Sequence, residues 1–183
     1  MALSHAKKGR KLRDAHKLWS HSGGLVVAER LWLLTTRVFA VKLDEKVLSN
    51  TWWPIAVHAD GSTQDTWEKI LALWFNSTLG IISLIAARVD TRGAWVELKK
   101  PIMEEIAVPD PRKLNKTAQD SLCSAFDKVS KLEVKALPSI DSDVVHKEID
   151  AALASAFEIS DDLARLRDML AREPIVSMRL PNA

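Results

Sequence analysis

A chain of 183 residues with 47% hydrophobic content can bury a core of one domain, with or without an appendage, and shows no low-complexity tract or internal repeat. The net charge of +2 conceals an asymmetry: residues 1–50 carry ten Lys/Arg against four Asp/Glu, whereas residues 101–183 carry eleven against fifteen, so only the N-terminal part suits a polyanion. One cysteine, Cys123, excludes an intrachain disulfide and agrees with a reducing compartment.

The start, "MALSHAKKGRKLRDAHKLW", is basic but has no apolar run after it, so it does not read as a secretory signal, and the expected location is cytoplasmic. Residues 4–20 read as a basic helix with Leu12, Ala15, Leu18 and Trp19 on one side. "SGG" at 22–24 reads as a break. Residues 25–34 are apolar enough for a strand or a short helix. Residues 37–43 alternate in the manner of a half-buried strand. In "VLSNTWWPIAV", residues 47–57, Pro54 lacks an N–H and predicts an edge or interrupted strand. Residues 58–63 read as a turn.

A long helix is expected next, over 64–88, capped by Ser62 or Thr63 and carrying a stripe of Trp67, Ile70, Leu71, Trp74, Leu79 and Ile82. No charge occurs between Lys69 and Arg88, but Asn76, Ser77, Thr78, Gly80 and Ser83 interrupt the apolar run, which falls short of the roughly 20 residues of a bilayer span. A core helix, broken near "NSTLG", is the better reading, with no membrane partner. "DTRG" (90–93) reads as a turn and "AWVELKK" as a strand. Three prolines over 101–112 mark a boundary between an α+β domain at 1–112 and a helical spacer or docking region at 113–183. In the latter, Leu122, Phe126, Val129 and Leu132 share one helical face, Val145, Ile149, Ala152 and Ala156 a second. Leu163, Leu166 and Leu170 form a third, with Ser160 as its cap. Residues 135–143 read as a loop.

The chain carries no recognisable catalytic constellation. His and Cys show no metal-ligand spacing, and neither a nucleophile elbow nor a glycine-rich phosphate loop occurs. His146 and Asp150, four apart on a helix, read as a surface pair. Cys123 reads as a core residue. What the sequence offers is a binding surface. Arg88, Arg92, Lys99 and Lys100 surround Gly93 and Trp95, and Arg30, Arg37, Lys42, Trp52 and Trp53 interleave charge with aromatic area upstream. Lys and Arg neutralise phosphates, and Arg can read a guanine edge. Asn76, inside an apolar helix, reads as structural.

The runs "VLSNTWWPI", "LALWFNSTLGIISLI" and "TRGAWVELKKPIMEEIAVPDP", in this order, resemble the C-terminal target-recognition region of adenine-specific DNA methyltransferases of restriction-modification and phage-defence systems. "KEIDAALASAFEIS" and "LRDMLAREP" are similar to that region's helical tail, although His146 stands where an Arg or another polar residue is expected. The resemblance covers roughly residues 18–175. It implies an α+β fold, a small twisted sheet packed on the 64–88 helix and followed by helices. It also implies sequence-specific duplex DNA recognition through Arg30, Arg37, Lys42, Trp52, Trp53, Arg88, Arg92, Lys99 and Lys100. The Asn/Asp-Pro-Pro-Tyr/Phe motif and the S-adenosylmethionine loop of such enzymes have no counterpart here. The expectation is therefore a specificity part that is not itself an enzyme and holds no cofactor or metal. It would work with a methyltransferase catalytic domain or subunit. The alternative is a protein-interaction module that docks a catalytic subunit without binding DNA autonomously.

Overall fold

The computed structural model describes residues 14–90, 95–160 and 162–177. Its architecture is α+β. Asp14 opens the short helix α1 (Ala15–Trp19) by accepting from the His16 and Lys17 amides. Leu18 and Trp19, expected on a packed stripe, are exposed; Leu12 lies outside the described residues.

β1 (Gly23–Ala28) is buried along its whole length, because it is the central strand of an antiparallel sheet in the order β3–β1–β4. The expected break at 22–24 is thus a strand start. Its glycines are there for space: a Cβ on Gly24 would lie 2.8 Å from Glu68 Oε2, and one on Gly23 3.0 Å from the Ile55 carbonyl oxygen. β3 (Ala40–Val47) begins three residues later than the alternation suggests. Among the described residues β4 (Trp52–Ile55) pairs only with β1 and is an edge strand, as Pro54 requires. A second antiparallel sheet has the order β2–β6–β5, from β2 (Arg30–Trp32), β6 (Trp95–Glu97) and β5 (Val89–Asp90). Glu29 stitches the two sheets together. Its amide donates to the Thr51 carbonyl, and its carbonyl accepts from the Leu98 amide.

The long helix, broken near "NSTLG" as expected, is two helices, α2 (Gly61–Phe75) and α3 (Thr78–Ala86), bent by 71°. Helix α2 starts at Gly61, whose φ of 42° favours glycine, and not at a Ser62 or Thr63 cap; the cap position is Asp60. "NSTLG" makes the bend residue by residue. The Asn76 amide group leaves the helix to bind β3, accepting from the Phe39 amide at 2.8 Å and donating to the Ala40 carbonyl at 2.8 Å. Ser77 caps α3 through the Gly80 amide. Gly80 lets the new helix fold back against the old one, since a Cβ there would stand 1.9 Å from the Trp74 carbonyl oxygen. No single helix among the described residues is long and apolar enough to cross a membrane. The bent pair has the length and composition, but its apolar residues largely pack inside the fold.

Helix α4 (Lys100–Met103) follows β6. The helices α5 (Lys116–Val129), α6 (Val144–Phe157), α7 (Leu163–Arg172) and α8 (Pro174–Ser177) complete the described residues. Asp162, not Ser160, caps α7 by accepting from the Arg165 amide. One core joins the sheets, α2 and α3 to Leu137, Ile140, Leu170 and Val176, so residues on both sides of Arg112 share it. Residues 135–143 are accordingly not a plain loop. Leu137–Ser142 is a 3-10 turn that buries two side chains and fixes itself through the Leu137 amide to the Thr36 carbonyl. A second core sets Ile70 and Leu73 of α2 against Leu122, Val129, Val145, Ile149 and Leu153. Each such side chain contributes about 1.5–3 kcal/mol.

The expected surface pair of His146 and Asp150 is buried. Asp150 accepts from the Thr78 amide at 2.9 Å, the Thr78 hydroxyl at 2.6 Å and the Arg167 guanidinium, tying α3, α6 and α7 together. His146 turns to Asp143 instead.

Candidate nucleic-acid interface

β2 alternates outward, inward, outward: Arg30 and Trp32 are exposed and Leu31 is buried. β6 does the same, with Trp95 exposed and Val96 buried. Antiparallel register puts Trp32 directly opposite Trp95 and Arg30 opposite Glu97. The two indoles meet with ring centroids 5.6 Å apart and planes inclined at 52°, and they remain 40% and 50% exposed. An aromatic pair adds about 0.5–1.5 kcal/mol beyond area burial, yet an interior position would have hidden it from water. Arg30 reaches Glu97 at 3.4 Å while 65% of its side chain is exposed, a contact that an external anion can replace at little cost.

β6 then delivers Lys99 and Lys100, both exposed, at the entry to α4. Lys100 lies 3.7 Å from Glu104, a loose exposed pair. Trp53 anchors the same corner: its indole N–H donates to the Leu98 carbonyl at 2.8 Å, one residue before Lys99. Arg30, Trp53, Lys99 and Lys100 are thereby gathered around β6, and Trp32 and Trp95 join them.

The other expected contact residues are placed differently. Trp52 is half-buried against the sheet core. Arg88 closes α3, its guanidinium donating to the Ile85 carbonyl at 2.8 Å, where a cation complements the helix C-terminus. Arg37 binds Glu133 at 3.0 Å and the Val134 carbonyl at 2.9 Å. Lys42 is 12% exposed and pairs with Asp65 at 2.5 Å. Lys42 and then Lys69 hold the Asp65 carboxyl below its usual value. Arg37 and Lys42 both line a cavity beside α5 and α6, whereas Lys100 and Trp53 line a separate groove at β4. Arg92 lies outside the described residues.

Comparison with protein-family models, curated proteins and solved structures gives no match. The site therefore rests on geometry. Among the described residues no group of three or more His, Cys, Asp and Glu is arranged to hold a metal ion. Trp32 is the residue that the charge-cluster reasoning passed over. The signal was present in the period-2 pattern of Arg30, Leu31 and Trp32, but the partner strand begins more than sixty positions away.

Proposed function

We propose that this chain recognises duplex DNA sequence-specifically and supplies target selection to an adenine methyltransferase, whose methyl transfer resides in another domain or subunit. The observation that carries this reading is the exposed Trp32–Trp95 pair, with Arg30 beside it along β2 and Lys99 and Lys100 beyond Glu97 on that same side of the pair. Duplex DNA asks for this combination. Lysines neutralise phosphates without regard to sequence. An exposed arginine held by one long contact to a carboxylate can exchange it for a base edge or a phosphate. Indole faces make apolar contact with thymine methyl groups and sugars. The resemblance to target-recognition regions agrees with this and supplies the methyltransferase context. Arg37, Lys42 and Arg88 already serve intramolecular contacts, so the proposal gives the principal DNA role to Arg30, Lys99 and Lys100.

Fluorescence anisotropy with a random duplex pool at two salt concentrations, followed by sequencing of the bound fraction, tests the proposal. Salt-dependent binding with an enriched motif is expected. Replacing Lys99 and Lys100 by glutamine should flatten the salt slope by about 0.9 per lost phosphate contact. Absence of binding at low salt would refute autonomous recognition.

A further inference from the structure

β3, α2, α5 and α6 line a cavity of about 270 Å³, open to solvent on one side, that the DNA reading does not use. Its walls are mainly apolar, with Val41, Leu73, Phe126, Val129, Val145 and Ile149 among them. The volume sits near the lower end of small-molecule sites, which begin at about 300 Å³.

One polar side chain in the wall is built for a ligand. His146 is 1% exposed, and its Nδ1 lies 2.6 Å from Asp143 Oδ2. Asp143 is itself fixed, accepting from the Val145 amide at 3.1 Å and the Lys135 amide at 3.2 Å. A carboxylate oxygen accepts, so Nδ1–H donates to Asp143, and Nε2 is the ring nitrogen left for a ligand. Nε2 makes no hydrogen bond among the described residues. The other polar groups lining the cavity are engaged. Asn76 bonds the backbone of β3, Arg37 holds Glu133, and Lys42 holds Asp65. Lys42 is held by Asp65 within the wall, and the ring nitrogen left at His146 asks for a donor and not an anion. An uncharged donor fits.

We propose that this cavity binds a compact, uncharged hydroxylic hydrophobe, a phenol or an alcohol, whose O–H donates to His146 Nε2 while its apolar body fills the space between β3 and the helices. This site stands independently of the DNA reading.

Isothermal titration calorimetry on the full chain with 4-ethylphenol and 4-ethylanisole tests it. The two share an apolar body, and only the phenol has a donor. The phenol should bind about tenfold more tightly, roughly the net worth of one hydrogen bond. His146→Phe should abolish that preference. Should this variant fail to fold, nitrogen NMR of histidine-labelled wild type decides. The His146 Nε2 resonance should move with 4-ethylphenol and stay with 4-ethylanisole. Equal binding of the two compounds, no binding of either, or an unmoved Nε2 resonance would overturn the proposal.

Discussion

Replacing Asp150 by alanine removes the acceptor shared by three elements. The Thr78 amide and hydroxyl lose partners at 2.9 and 2.6 Å, and Arg167, with a side chain only 9% exposed, is left as an uncompensated buried charge. Stranding one member of a buried pair costs about 3–5 kcal/mol, and that term dominates; water entering the vacated space offsets only part of it. For a chain of this size each kcal/mol lowers Tm by about 2–4 °C, so Asp150→Ala should melt roughly 10 °C below the wild type. Urea denaturation followed by far-UV circular dichroism gives the free energy directly. Asp150→Ala combined with Arg167→Met should recover a good part of the loss, because no charge is then stranded. A loss below about 1 kcal/mol for the single variant, or a double variant no better than it, would refute the view that this pair holds α3, α6 and α7 together.

Gly80→Ala should destabilise by about 1–3 kcal/mol or more, although alanine is the better helix former, because its Cβ would collide with the Trp74 carbonyl; a stabilised variant in urea melts would contradict the sharp bend. Lys42, then Lys69, depress the Asp65 carboxyl below 3.8, so its stabilisation is present above pH 3.8 and is lost as pH falls through the lower folded value. The urea midpoint of wild type should therefore exceed that of Asp65→Asn at pH 7, and the gap should narrow as pH falls below 3.8; a gap that does not narrow would show that the ion pair is not the cause. Trp32→Ala and Trp95→Ala should each weaken cognate DNA binding several-fold while leaving the salt slope unchanged, since neither residue carries charge; anisotropy titrations at several salt concentrations separate the two effects.

Legibility in the sequence followed the range of the interaction responsible. Pro54 announced its edge strand because a missing N–H is a local fact. The interruption at "NSTLG" was visible, and so was the structural role of Asn76, because polar side chains in an apolar run must find backbone partners. The sharpness of the bend was not visible, since it depends on how closely Gly80 approaches Trp74. Gly23 and Gly24 misled for the same reason. Their neighbours Ile55 and Glu68 are remote in sequence, and only the assembled sheet turns an apparent break into a strand. His146 and Asp150 looked like surface residues because spacing alone cannot reveal Asp143 on one side or Thr78 and Arg167 on the other. At the candidate interface the charges were legible one by one. The aromatic pair needed the β2–β6 register.

The most direct test of the account is the affinity of the full chain for duplex DNA as a function of salt, compared between wild type and a variant with Arg30, Lys99 and Lys100 all changed to glutamine. The account predicts that wild type binds and enriches a motif from a random pool, and that the variant binds more weakly with a flatter salt dependence. Identical affinities and slopes for the two proteins would contradict the assignment of this face, and no binding by wild type at low salt would contradict the proposed function itself.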